Sequence, residues 1–185
     1  MMASLESQSD RPVFTGVSVY NDPSGHLSFW YASEWQIIRL DVPLPVLTII
    51  PDPVDPLTQI SIMVKDVGSV ISAADHAAVV EGVQEGLAQL DGCVVDYLRE
   101  LNEGERWGVE WMCSFMHNGQ RYRRRARLFF SDQYQYSVVL QGSTEERYAY
   151  WQGMFEFTML TVGTAPFNLK QWTQSVQLEE SGPTS

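Results

Sequence analysis

Five of the twelve basic residues in this 185-residue chain fall within seven positions: Arg121, Arg123, Arg124, Arg125 and Arg127. Guanidinium groups at that density can grip carboxylates or phosphates through paired N–H donors. In a β-strand the odd-numbered four share one face, ~6.6 Å apart, because side chains alternate. Three readings stand side by side. The stripe is a solvated strand face partly neutralised by Glu110, a docking face for an acidic peptide or protein, or a phosphate or polyanion site. Platforms for single-stranded nucleic acid place exposed aromatics between the basic groups. Here the interleaved aromatic, Tyr122, points to the opposite face. The candidates for partner binding are therefore Arg121, Arg123, Arg125 and Arg127. Phe167 and Trp172, large aromatics in an otherwise polar C-terminal stretch, join them.

Other chemistry-bearing residues form no familiar constellation. His26, His76 and His117 are far apart, without HxxxH or HExxH spacing. Asp52, Asp55 and Asp66 are separated by prolines, and the spacing fails the EF-hand pattern. No GxSxG, Walker loop or GxGxxG occurs. Cys93 and Cys113 belong to no CxxC pair and are expected as two reduced core thiols. The reading is a non-enzyme with no catalytic residue, no metal and no cofactor.

The charge balance, 23 acidic against 12 basic residues and a net −11, opposes nucleic-acid binding, since a duplex repels such a surface. It equally disfavours anionic membranes. No apolar run is long enough to insert as a helix. The N-terminus lacks the basic and apolar regions of a secretory signal. The expected location is cytoplasmic. An apolar fraction of 44%, with six Trp, eight Tyr and eight Phe, supplies a sizeable core. The length suits one domain. Its expected limits are a loose segment 1–12, a domain over 13–163 and a tail over 164–185.

Val13–Tyr20 alternates as a strand does, and NDPSG at 21–25 is turn chemistry. Short strands are predicted over Leu27–Tyr31, Trp35–Leu40 and Gln59–Val64. Val46–Ile50 lies among prolines and reads as an edge strand or extended loop. Ser72 opens a helix to residue 90 through a Ser-x-x-acid cap, with Ala77, Val80, Val83, Leu87 and Leu90 inward. Val94–Leu101, Trp107–Met116, Tyr122–Phe130 and Tyr134–Leu140 follow as strands. A second helix runs from Thr144 to about Leu160, with Tyr148, Trp151, Phe155 and Leu160 inward. Strands and helices do not alternate one to one, so an α+β fold, an antiparallel sheet flanked by helices, is expected.

Asn118-Gly119 is a strong two-residue hairpin signal. It places His117 opposite Gln120, Phe115 opposite Tyr122, Cys113 opposite Arg124, Trp111 opposite Ala126 and Glu110 opposite Arg127. If Phe130 then pairs with Tyr134, Tyr136 and Val138 join Trp111 and Leu128 on one core face. The odd-numbered arginines lie on the other.

YNDPSGHLSFWYASEWQI (20–37) resembles the opening of PsbP-type domains: an aromatic, a turn, an aromatic-rich strand and a following Trp. Ala32 stands where that family has proline. ISIMVKDVGSVISAADHAAVVEGVQEGL (60–87) is similar to the strand, loop and helix that come next. VDYLRELNEGERWGVEWMCSFMHNGQRYRRRARLFF (95–130) resembles the paired antiparallel strands. The resemblance covers about residues 13–162 and implies the Mog1/PsbP-like αβα sandwich. Members include extrinsic photosystem II subunits, a Ran-binding nuclear transport factor and bacterial chaperones for secreted effectors. They share the habit of binding another protein and no common catalytic residue. The implied function is a non-enzymatic, protein-binding adaptor or chaperone-like module whose partner is another protein or subunit. The alternatives are an accessory subunit of a larger assembly, and a small-ligand binder or uncharacterised enzyme.

Overall fold

The computed structural model describes residues 12–40, 46–104 and 106–166. Two strands, β1 (Val17–Asn21) and β2 (Ser28–Ala32), form a separate hairpin. Seven more build one antiparallel sheet: β3 (Gln36–Leu40), β4 (Val46–Ile50), β5 (Gln59–Asp66), β6 (Val94–Glu103), β7 (Arg106–His117), β8 (Gln120–Ser131) and β9 (Tyr134–Gly142). Their spatial order is β3-β4-β5-β9-β8-β7-β6, so β3 and β6 are the edges. Helix α1 spans His76–Ala88 and helix α2 Glu145–Leu160. Phe167, Trp172 and most of the expected tail lie outside the described residues. Among the described residues, no helix is long and apolar enough to cross a membrane.

Alternation in β7 assigns the helices to opposite faces of the sheet. Met112 packs with Phe129, Tyr136, Val138 and Leu140, and with Tyr148, Phe155 and Met159 of α2. Its neighbour Cys113 packs instead with Phe115, Tyr122 and Leu87 of α1. The β1–β2 hairpin joins the α2 side through Leu27 and Phe29. Thr144 caps α2 by accepting the Arg147 N–H (3.1 Å). A 3₁₀ turn at Ala73–Asp75 leads into α1, and Asp75 Oδ2 accepts the Ser72 N–H (2.8 Å), one half of the predicted capping box.

The β7–β8 register is the one the Asn118-Gly119 turn predicts, with both residues at positive φ. The next hairpin is one residue away from expectation. Ser131 pairs with Tyr134, Phe130 with Gln135 and Phe129 with Tyr136, around a tighter turn in which Asp132 takes positive φ. A one-residue slip exchanges faces, so Tyr136 and Val138 lie on the arginine side, beneath α2. Four smaller expectations are also corrected. Val46–Ile50 is an inner strand, because the prolines flank it and leave its ladder intact. Leu160 is exposed, Met159 taking the inward place at the end of α2. Ala77 is exposed on α1, where Val79 packs instead. The first strand begins at Val17, not Val13.

Candidate functional site

The arginine stripe is built by β8 and answered by its neighbours. Glu110 on β7 stands opposite Arg127, and its side chain has no solvent exposure. Its Oε2 accepts from Arg127 Nη2 (3.0 Å) and Arg125 Nη2 (3.1 Å), its Oε1 from Arg99 Nη2 (2.7 Å) and the Tyr97 hydroxyl (3.1 Å). Arg125 also reaches Glu156 of α2 (3.1 Å), Arg127 reaches Glu103 (3.3 Å) and Arg123 reaches Asp96 (2.5 Å). The side chains of Arg125 and Arg127 are only 14% and 11% exposed. Burial pushes the Glu110 carboxyl upward, but the bonds from Arg99, Arg127 and Arg125 outweigh it and hold the group below the ordinary glutamate range.

The expectation of a solvated face therefore fails for Arg125 and Arg127, and their binding capacity is spent inside the molecule. The cause is α2, which covers this face, together with an acid buried on the neighbouring strand. Arg121 remains exposed and bonds Ser114 Oγ (3.1 Å), and Arg123 is half-buried. Arg124 turns to the α1 side as predicted. It lies over the Phe115 ring at 4.4 Å and donates to Gln141 Oε1 (2.6 Å). Phe167 and Trp172 fall outside the described residues.

The other singled-out groups are dispersed. His76 stacks on Trp107 (3.6 Å between centroids), His26 lies against Tyr134 and His117 sits beside Tyr122. Asp52 and Asp55 converge on Arg147 of α2 (2.7 and 2.9 Å), while Asp66 is elsewhere on β5. Among the described residues no three His, Cys, Asp or Glu side chains group to hold a metal ion. Cys93 and Cys113 are free thiols in one apolar cluster.

Pattern reading missed a surface on the α1 side. An open groove of about 330 Å³ runs between α1 and the edge strand β6, lined by Gln84, Leu87, Ala88, Cys93, Val95 and Leu98. Val95 in its wall is 43% exposed, while Val94, paired with Ser114, faces the other side of the sheet. A register irregularity between Val95 and Tyr97 marks the start of β6, and the strand then follows β7 to Glu103. Glu81 and Glu85 on α1, and Asp91 just past its end, are exposed. The sequence signal was present in Val94-Val95 next to Cys93, but only the position of β6 at the sheet edge leaves these residues uncovered.

No family model and no curated protein matches the chain by sequence. Solved structures do match by shape. The chain is similar to the cyanobacterial PsbP protein, CyanoP, of Synechocystis (TM-score 0.61, 10% identity, 80% of this chain and 92% of that one). It is similar to LpqN of Mycobacterium tuberculosis, described as involved in cell envelope biogenesis (TM-score 0.56, 13% identity, covering 82% and 91%). It is also similar to PA94 of Pseudomonas aeruginosa, a protein of unknown function (TM-score 0.51, 14% identity, covering 82% and 99%). The fold is PsbP/Mog1-like, as the sequence resemblance implied.

Proposed function

We propose that this chain is a non-enzymatic binding module that docks on another protein, through a single domain over 13–163 arranged as an αβα sandwich. The observation that carries the reading is the groove between α1 and β6. It places exposed Val95 beside Leu87 and Leu98, along an edge strand whose outer backbone can receive another strand. Exposed Glu81 and Glu85 lie on the same helix, Asp91 follows it, and the chain carries a net −11. The partner element is therefore an extended apolar segment flanked by lysine or arginine. Accessory or binding roles among PsbP-like proteins agree with this reading, and Arg123, Arg125 and Arg127 of the arginine stripe are engaged by the chain's own acids.

The test compares capture of partners from native lysate by the unaltered chain and by Val95→Asp, with Val54→Asp, at an exposed position between β4 and β5, as a control. Loss of the same partner from the Val95 variant alone, at an unchanged melting temperature, is the expected result. Equal capture by both variants would overturn the assignment to this groove.

A further inference from the structure

A second concavity, of about 380 Å³, opens on the α2 side between the β1–β2 hairpin and strands β3, β4, β5 and β9. It lies far from the α1–β6 groove along the sheet. Its size is that of small-molecule sites, which combine apolar walls with few polar groups. Leu27, Leu47 and Ile62 are buried in its floor, Val64 extends it, and Tyr134 forms an aromatic wall with the His26 ring 4.3 Å away.

The polar groups at the mouth are unequally occupied. Asp22 Oδ1 accepts from Arg39 Nη2 (2.6 Å), and its Oδ2 accepts from the Ser24 N–H (3.0 Å) and the Ser24 hydroxyl. Burial pushes the Asp22 carboxyl upward, and the bonds from Ser24 and Arg39 outweigh it, so the group stays ionised and engaged. Asp66, at the exposed rim, accepts from the Gly68 N–H (2.8 Å) and the Gln133 side chain (3.0 Å). Arg39 is half-exposed and bonds only through Nη2, to Asp22 and to the Tyr20 hydroxyl (3.1 Å). Its Nε and Nη1 have no partner among the described residues. Asp22 is engaged by a cation and Asp66 by two neutral donors, whereas Arg39 keeps open donors at Nε and Nη1.

We infer that this pocket binds a small aromatic carboxylate, with its ring on Leu47, Ile62 and Val64 against Tyr134 and its carboxylate on the open donors of Arg39. A bare phosphate would leave the apolar floor unused. An aromatic cation would meet Arg39 with like charge, and a neutral ring would forgo the charged hydrogen bond.

Amide chemical-shift mapping on the full chain tests this with three probes of one shape: naphthoate, naphthalenemethanol and naphthylmethylammonium. Saturable shifts around Leu47, Ile62, Val64 and Tyr134 are expected, with naphthoate the tightest. Arg39→Gln, which keeps donors and removes the charge, should weaken naphthoate about tenfold and leave the alcohol unchanged. Val64→Trp, filling the floor, should abolish binding of all three. Four results would each overturn the inference: no saturable shifts, shifts centred on Leu87 and Leu98, tighter binding of the cation, or unchanged naphthoate affinity in Arg39→Gln.

Discussion

Glu110 concentrates more energetic consequence than any other side chain on the arginine face. Three guanidinium groups converge on a carboxylate without solvent exposure. Removing one partner of a buried ion pair strands the rest. Glu110→Ala is expected to destabilise by about 3 kcal/mol, the low end of the range for such pairs, because Arg125 and Arg127 keep Glu156 and Glu103. Arg121→Ala, at an exposed position, should stay within about 0.5 kcal/mol. Urea denaturation of both variants checks the contrast. The pH dependence follows from the depressed carboxyl. A group whose folded pKa is lowered adds stability above its unfolded value, and that stability is lost as pH falls through the folded one. Stability should therefore fall below about pH 4.5, the ordinary glutamate value, and less steeply in Glu110→Gln. A parallel fall in both proteins would refute this. Cys113 offers a second test at this scale. Burial, with Cys93 adding to it, pushes its thiol up to about 12. Iodoacetamide at pH ~8 should then alkylate Cys93 and spare Cys113 until urea is added, as read by mass spectrometry.

At the scale of elements, the two helices are held differently. Helix α1 carries Gly82 and Gly86 on its outer side, and an added Cβ would meet nothing within 4 Å at either. Each Gly→Ala change should stabilise by up to ~1 kcal/mol, because glycine spends more backbone entropy in a helix. Helix α2 is seated on β9 so closely that a Cβ on Gly142 would stand 2.5 Å from the Tyr148 nitrogen. Gly142→Ala should destabilise by several times that amount, and thermal melts of the three variants read the opposite signs. These elements also show what the sequence could disclose. The β7–β8 register was legible because Asn118-Gly119 admits one turn geometry. The β8–β9 register was not. Both faces of the sheet are covered, so Phe129 and Phe130 can each be inward and the alternation of Tyr134 and Tyr136 fits either pairing. The same two-sided cover hid the fate of Arg125 and Arg127. A row of arginines reads as solvent-facing unless the acid buried opposite it and the helix above it are both known. The groove and the Arg39 pocket depend on which strands end at the sheet edge and where the β1–β2 hairpin folds over, and neither is encoded in local pattern.

At the scale of the whole molecule, the described residues contain all three apolar clusters and a latch that joins the two ends of the domain. Gly163 exchanges backbone hydrogen bonds with Ser28 (2.7 and 3.0 Å), and the Ser28 hydroxyl donates to Ala165 O (2.6 Å). The latch ties the exit of α2 to the start of β2, next to Leu27 in the floor of the Arg39 pocket. Three bonds of ~1 kcal/mol each correspond to roughly 6–12 °C in melting temperature for a domain of this size. A chain ending at Val162 should melt lower by that amount and bind naphthoate more weakly, since the hairpin roof of the pocket loses its tie. A chain covering 12–166 keeps the latch and every cluster. It is expected to unfold in one cooperative transition at the melting temperature of the full chain. Differential scanning calorimetry of the three lengths separates the outcomes. If the 12–166 chain melts several degrees lower, residues outside that range contribute to the stability of the domain. If the Val162 chain melts unchanged, the latch carries none of the stability assigned to it.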